Sequence, residues 1–151
     1  MNLVFMMVYM YCYDFNLKSI VYKCSLADIP GSENGVCCLF ANNSEVFFVS
    51  HNTLFRLNPY ENMHESLFTC DKQFCVNFFE NNLVLGVGRG SNKQGVYIID
   101  LEKPIKECRI CEIPVDGIYI LDNQYVYFTD EDYHLYRILL NGNSLEIVFD
   151  K

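Results

Sequence analysis

The sequence predicts an all-β protein built from repeated antiparallel units, and three observations support that class. An apolar strand, a polar turn and a second apolar strand recur about every forty residues, in 35–50, 74–87 and 115–130. Two further short runs of aromatic and β-branched residues follow each recurrence. No window of the sequence keeps its apolar residues at helical spacing. A fixed period of this size predicts stacked sheets that cover one another, as the blades of a β-propeller do.

Three complete four-stranded units are expected, at 35–72, 74–114 and 115–151. In each unit the first two strands meet at a short polar turn, because Asn and Asp favour tight hairpins. These turns are Asn42-Asn43, Asn81-Asn82 and Asp122-Asn123. The third and fourth strands are expected at 53–57 and 66–70, at 95–101 and 107–113, and at 134–139 and 144–149.

The first segment, 1–34, fits the second half of the same unit. Residues 21–24 (VYKC) align with residues 67–70 (LFTC), so the segment supplies the last two strands of a blade, with a stub at 3–5. We therefore expect one domain, 1–151, that forms a propeller-type array of four-stranded antiparallel blades, about three and a half in number. A β-trefoil, which fits a similar number of short strands into this length, is the alternative.

Composition restricts the partners. The chain has 151 residues, 51% of them hydrophobic, and a formal net charge of −8. A globular core is therefore expected rather than disorder. Nucleic acids and anionic membranes are not expected as partners, because both require a basic surface that replaces counterions.

The apolar N-terminal segment, 1–13, is better explained as a buried strand than as a signal peptide. It lacks the basic start and the small-residue cleavage site of a signal peptide, and it is too short to span a bilayer before Asp14. A buried strand explains it, and the sequence favours an intracellular location without a signal peptide or a transmembrane segment.

The eight cysteines favour buried thiols over a disulfide framework. Most of them lie in apolar, strand-like runs, where a free cysteine behaves as a small hydrophobic residue. Cys108 and Cys111 form a C-x-x-C motif, but residues three apart in a strand point to opposite faces. No second C-x-x-C or pair of histidines follows at ligand spacing. We expect no metal and no cofactor.

The last unit resembles a known repeat. Tyr127-Phe128-Thr129-Asp130 resembles the YWTD tetrad of the LDL-receptor-type β-propellers, with Phe in place of Trp. Residues 135–137 (LYR) resemble the strand that follows the tetrad, and Asn141-Gly142 resembles the turn before the outer strand. The resemblance implies a propeller whose ring closes with more blades than this chain supplies. The ring would then be completed by self-association, within a larger propeller, or as a small four-bladed disc.

The candidate binding residues lie at the tips of two loops. Gly86-Val87-Gly88 opens a long loop that carries Arg89, Asn92 and Lys93, and Arg89 and Lys93 make it one of the few basic tips of an acidic chain. No helix follows these glycines, so a phosphate-binding loop is not favoured. The second tip carries Asp132 and Tyr133, next to Asp130, whose carboxylate is expected to bond the local backbone.

These observations predict a protein without catalytic residues. The three histidines are scattered in turns, and no G-x-S-x-G motif is present. The expected role is a protein–protein interaction or scaffold module that presents its loops as a docking surface. An alternative is a hydrolase or lactonase-like enzyme with a metal in the central channel, but the innermost positions, Cys37-Cys38, Cys75-Val76 and Ile118-Tyr119, are apolar. A structural subunit of a larger assembly is the third interpretation.

Overall fold

The structure is a computed structural model, and it describes residues 9–14, 16–25, 28, 36–42, 45–61, 63–103, 107–120 and 124–150. The predicted stub at 3–5 and the turn at Asp122-Asn123 lie outside this set, as do the side chains of Cys37, Cys38 and Asn42. The chain divides into two compact units, Met1–Thr69 and Cys70–Lys151.

The described residues form fourteen strands. The first unit contains β1 Tyr9–Asp14, β2 Ser19–Ser25, β3 Val36–Asn42, β4 Glu45–Ser50, β5 Thr53–Asn58 and β6 Met63–Thr69. The second unit contains β7 Phe74–Phe79, β8 Asn82–Val87, β9 Gly95–Asp100, β10 Glu107–Cys111, β11 Gly117–Ile120, β12 Tyr125–Thr129, β13 Leu135–Leu139 and β14 Glu146–Phe149. No helix of the described residues is long and apolar enough to cross a membrane.

The strands pair in chain order. β1 and β2 form a two-stranded antiparallel sheet, and β3–β6, β7–β10 and β11–β14 each form a four-stranded sheet. The predicted all-β class and its four-stranded units are confirmed. Each sheet is a simple meander, as in a propeller blade, whereas the trefoil alternative would gather hairpins around a triangular cap.

In the first unit the β1–β2 sheet packs on the β3–β6 sheet. Tyr22 of β2 joins Phe48, Phe55 and Leu57 in one buried cluster, with Cys12 and Cys24 packed against it. The rings of Phe48 and Phe55 stack with their centroids 5.3 Å apart. The N-terminal hairpin therefore covers an apolar sheet face, as the alignment of residues 21–24 predicts.

In the second unit the β7–β10 and β11–β14 sheets also pack face to face. Val84, Val96 and Ile98 of the first sheet share a buried cluster with Val126 and Phe128 of the second. Gly86 of β8 lies against the connection between β10 and β11, because a Cβ atom there would stand 2.5 Å from Cγ1 of Val115. Burial of apolar area between sheets, at about 25 cal/mol per Å², is the main stabilising term for such an arrangement.

Several predicted boundaries are wrong by one to three residues. The β7–β8 turn is Glu80-Asn81 rather than Asn81-Asn82, because Asn82 pairs with Phe79 and begins β8. Strand β14 begins at Glu146 rather than 144, because Ser144 takes a left-handed conformation with φ of 55°. Strand β10 ends at Cys111, whose carbonyl oxygen approaches the site of Gly95. Strand β6 begins earlier than predicted, at Met63.

Candidate functional site

The predicted loop tips lie at one end of the second unit. The β8–β9 loop (88–94) and the β12–β13 loop (130–134) both connect the second and third strands of a sheet. Because the two sheets are neighbouring meanders with the same strand order, these loops share an end with the segment before β7, residues 70–73. We call residues 71–72, 88–94 and 130–134 the loop end.

The structure brings Arg89 and Asp132 together, although the sequence separates them by more than forty positions. The Arg89 guanidinium donates to Asp132, with Nη2 and Oδ2 3.1 Å apart. Its Nε atom lies 3.7 Å from Oε2 of Glu131. The hydrogen bond to Asp132 and the nearby negative charges raise the pKa of Arg89 above its ordinary value. The two predicted tips therefore form one surface that crosses two blades.

The segment before β7 fixes the β8–β9 loop. Nζ of Lys72 donates to the carbonyl oxygen of Arg89 at 2.8 Å. The Asp71 carboxylate accepts hydrogen bonds from the Ser91 hydroxyl and from the backbone N–H of Asn92, the latter at 3.1 Å. The bond from Ser91 is the largest cause that lowers the pKa of Asp71. These contacts attach the β8–β9 loop to the segment before β7.

Sequence reasoning missed Asp71 and Lys72. The repeat could have indicated them. In a four-stranded meander, the segment that enters the first strand lies at the same end as the loop between the second and third strands.

Lys93, in contrast, contacts a different part of the sheet. Its Nζ atom lies 2.7 Å and 2.8 Å from the two carboxylate oxygens of Glu107 on β10.

Asp130 organises the β12–β13 loop. Its side chain is buried, with the residue only 6% exposed. Oδ1 accepts the backbone N–H groups of Asp132 and His134, each at 3.0 Å. Oδ2 lies 2.9 Å from Nδ1 of His134 and accepts the Tyr136 hydroxyl at 3.1 Å. The prediction that Asp130 bonds the local backbone is confirmed.

Hydrogen bonding decides the charge state of this group. Burial opposes ionisation of Asp130, but the bonds from His134, Tyr136 and Asp132 outweigh it and hold the pKa below its ordinary value. The same bond to Asp130 raises the pKa of His134. Nε2 of His134 lies 3.2 Å from Oδ1 of Asp150, so both ring nitrogens face carboxylates. Both ring nitrogens of His134 are therefore engaged by carboxylates of this chain.

Among the described residues, one group offers ligand atoms close enough for a metal ion. It consists of Asp130, Asp132 and His134, with atoms within 4.8 Å of one another. Both oxygens of Asp130 already accept hydrogen bonds from within the turn. The hydrogen bonds of the hairpin loop therefore explain why these three side chains lie close together.

Tyr133 and Asn92 are also exposed in the loop end. Tyr133 is 66% exposed and has a φ of 66°, a conformation that is uncommon for a bulky residue. Asn92 is exposed and contacts Asp71 through its backbone. Of the five predicted residues, Arg89 and Asp132 thus meet, Tyr133 follows Asp132 in the same loop, Asn92 bonds to Asp71, and Lys93 bonds to Glu107 of β10.

The cysteines with described side chains have free thiols. Cys108 is exposed and Cys111 is buried, so the two residues of the C-x-x-C motif face different surroundings, as predicted. Burial raises the pKa of Cys111, and also that of Cys75, Cys12 and Cys70. A raised pKa disfavours the thiolate that nucleophilic or metal chemistry needs.

Comparison with known proteins identifies the fold. A chain in the structure of an S. cerevisiae Dbp5 variant bound to Nup159, a Gle1 variant, IP6 and ADP matches 87% of this chain and 32% of its own length, with a TM-score of 0.56 and 16% identity. The crystal structure of the N-terminal domain of Nup159 matches 76% of this chain and 30% of its own, with a TM-score of 0.52 and 16% identity. No family model and no curated protein matches the sequence.

These similarities concern architecture alone, because the identity is low. The Nup159 domain is a β-propeller, so the four-stranded sheets of this chain have the blade architecture of that fold. The chain spans about a third of the length of each matched structure.

Proposed function

We propose that this chain is a non-catalytic interaction module of the propeller type, which docks a protein partner on the loop end. The observation that carries the proposal is the pairing of Arg89 with Glu131 and Asp132 across two blades, beside the exposed Tyr133. Tyrosine and arginine are the residues most often responsible for binding energy at protein interfaces.

Preorganisation supports this role. Asp71 and Lys72 hold the β8–β9 loop, and Asp130 holds the β12–β13 loop through four hydrogen bonds. A surface that is already ordered loses little conformational entropy when a partner binds, which favours affinity. The S. cerevisiae structure with the same architecture contains Nup159 together with Dbp5 and Gle1, and so gives an example of such blades among protein partners.

Affinity capture with matched variants tests the proposal. The double variant Arg89→Glu/Tyr133→Ala changes the loop end, and Lys103→Ala changes an exposed ion pair in the β9–β10 connection. Proteins captured by the wild-type chain and by Lys103→Ala, but lost with the double variant, would support docking at the loop end. Equal capture by all three chains would contradict it.

A second candidate is a structural subunit that completes its ring by self-association. It is supported by the sheet β11–β14, where Val126 and Phe128 are buried on one face while Tyr119 on the other is half exposed. Under this proposal the chain contributes about three and a half blades of the kind the YWTD resemblance implies, and further copies supply the rest. Light scattering after size exclusion tests it: a lone monomer at all concentrations would exclude self-association.

The non-catalytic assignment is supported by the innermost strands. Val76 of β7 and Ile118 of β11 are buried apolar residues where a channel-bound metal would need oxygen or nitrogen ligands. Elemental analysis of the purified protein tests this point, because a stoichiometric metal would favour the hydrolase alternative.

A further inference from the structure

The outer strands of the three complete sheets differ in the side chains that they expose. Strand β6 exposes Met63 and then His64, Glu65 and Ser66, and strand β10 exposes Cys108 and Arg109. Glu65 and Arg109 also form ion pairs, with Arg56 and Glu112 respectively. Charged residues on an edge strand discourage pairing with another chain. Both strands therefore carry the protection that is usual for a sheet edge.

Strand β14 is more apolar than β6 and β10. Glu146 pairs with Arg137 of β13, as Glu65 pairs with Arg56, and the ladder with β13 has an irregularity that skips Val148. The other three residues of the strand are apolar: Ile147, Val148 and Phe149 are 59%, 47% and 58% exposed, and Leu145 just before the strand is 45% exposed. Within the described part of the chain, β14 pairs with β13 alone. An outer strand with three consecutive exposed apolar residues is typical of a strand-pairing site.

We propose that β14 is a strand-addition site, distinct from the loop end, for an extended protein segment whose apolar centre is flanked by lysine or arginine. The added strand pairs with the backbone of β14, and its apolar side chains cover Ile147, Val148 and Phe149. Main-chain hydrogen bonds supply affinity in this mode of recognition, and side chains at alternate positions supply specificity.

Charge identifies the partner. Glu146 and Asp150 bracket the three apolar residues, and their side chains remain 48% and 72% exposed although they contact Arg137 and His134. The whole chain carries a net charge of −8. Basic residues at both ends of an added strand would lie opposite these carboxylates, and opposite charges directly across two strands stabilise the pair.

A second copy of β14 does not meet this requirement. Only one antiparallel register sets Ile147, Val148 and Phe149 of two copies against one another, with Val148 at the centre. That register also places Glu146 opposite Asp150 of the second copy at both ends, and like charges directly opposite are destabilising. The sequence of the strand therefore favours a basic partner over self-pairing.

Peptide binding to the full chain tests the assignment. The probe is Lys-Lys-Ile-Val-Val-Lys-Lys with a fluorescent label, titrated by anisotropy, and amide chemical shifts of the labelled chain locate it. We expect saturable binding, with the largest shifts at 145–150. Two peptides serve as controls: Lys-Lys-Ile-Pro-Val-Lys-Lys has the same charge but disrupts strand pairing, and Glu-Glu-Ile-Val-Val-Glu-Glu has the opposite charge.

Variants of matched charge complete the test. Val148→Lys is expected to weaken binding by about tenfold or more, since it adds a like charge to the probe at the pairing edge. Ser66→Lys adds the same charge to the exposed part of β6 and should leave the affinity unchanged. Phe149→Thr keeps a strand-forming residue and should weaken binding several-fold, which covers the case that Val148→Lys fails to fold.

Four results would overturn the proposal. They are equal affinity for the proline peptide, equal affinity for the acidic peptide, unchanged binding by both β14 variants, and no binding at millimolar probe. A dimer of the free chain that Val148→Lys abolishes would replace the basic partner with a second copy. Binding that survives Arg89→Glu/Tyr133→Ala separates this site from the loop end.

Discussion

Strands β8 and β12 occupy the same position in neighbouring sheets but are buried to different extents. In β8, five consecutive residues from Leu83 to Val87 are buried. In β12, Val126 and Phe128 are buried whereas Tyr125 and Tyr127 are only partly so. Both runs are largely apolar in the sequence, and continuously apolar runs are typical of strands buried on both faces. The structure covers both faces of β8 but not of β12, so an apolar run is buried on both faces only where neighbouring structure covers it.

The largest effect should come from matched truncations on these two strands. Leu85 is fully buried on β8, and Tyr127 is partly exposed on β12. Leu85→Ala should lower the free energy of unfolding by about 3 kcal/mol, because it leaves a cavity. Tyr127→Ala should cost about 1 kcal/mol or less, as for a residue outside the packed core. Denaturant unfolding measures both, and equal losses would mean that the two strands are equally covered.

A smaller effect should follow from overpacking the contact between β8 and the β10–β11 connection. Gly86→Ala places a Cβ atom 2.5 Å from Cγ1 of Val115, so Val115 must move. We expect a loss of about 2 kcal/mol in the free energy of unfolding. Gly88→Ala is the control, because its nearest neighbour, the carbonyl oxygen of Val115, would lie at an ordinary 3.5 Å. A thermal melt that does not distinguish the two variants would contradict the close approach.

The Asp130–His134 pair should make the free energy of unfolding fall both when the pH rises and when it falls. The folded pKa of His134 is raised, so its contribution is complete below the unfolded pKa of about 6.5 and disappears as pH rises through the folded value. The folded pKa of Asp130 is lowered, so its contribution is complete above about 3.9 and disappears as pH falls through the folded value.

Thermal melts across this pH range test the pair. The destabilisation of His134→Gln relative to the wild type should be greatest between about pH 4 and 6.5 and should shrink at alkaline pH. Asp150→Asn should produce a weaker version of the same dependence, since Asp150 contacts the outer nitrogen of His134. A difference that stays constant with pH would show that the pair does not act through charge.

The smallest effect on stability should come from Arg89. Its side chain is 55% exposed, and exposed ion pairs contribute little to stability because water and salt screen them. Arg89→Ala should therefore leave the melting temperature nearly unchanged while it weakens partner capture. A large loss of stability would mean that the Arg89–Asp132 contact holds the two blades together rather than serving a docking surface.

The repeat in the sequence predicted the positions of the strands well, but it predicted less well which strand faces are buried. Local turn chemistry and runs of β-branched and aromatic residues locate the hairpins, since both act over a few positions. The end of β10 lies at Cys111 rather than 113, and the carbonyl oxygen of Cys111 is close to Gly95 of the neighbouring strand, a contact that a local pattern does not show. The loop tips were predicted singly, and the contact of Arg89 with Asp132 was not predicted.

The sequence by itself determined the all-β class, the four-stranded units and the hydrogen-bonded role of Asp130, because each depends on residues close together in the chain. Tertiary structure alone decided which apolar faces are covered, that Asp71 and Lys72 hold the β8–β9 loop, and that the apolar residues of β14 are exposed. These features depend on distances between segments far apart in sequence, which are set by the packing of one sheet on another and not by the period of the repeat.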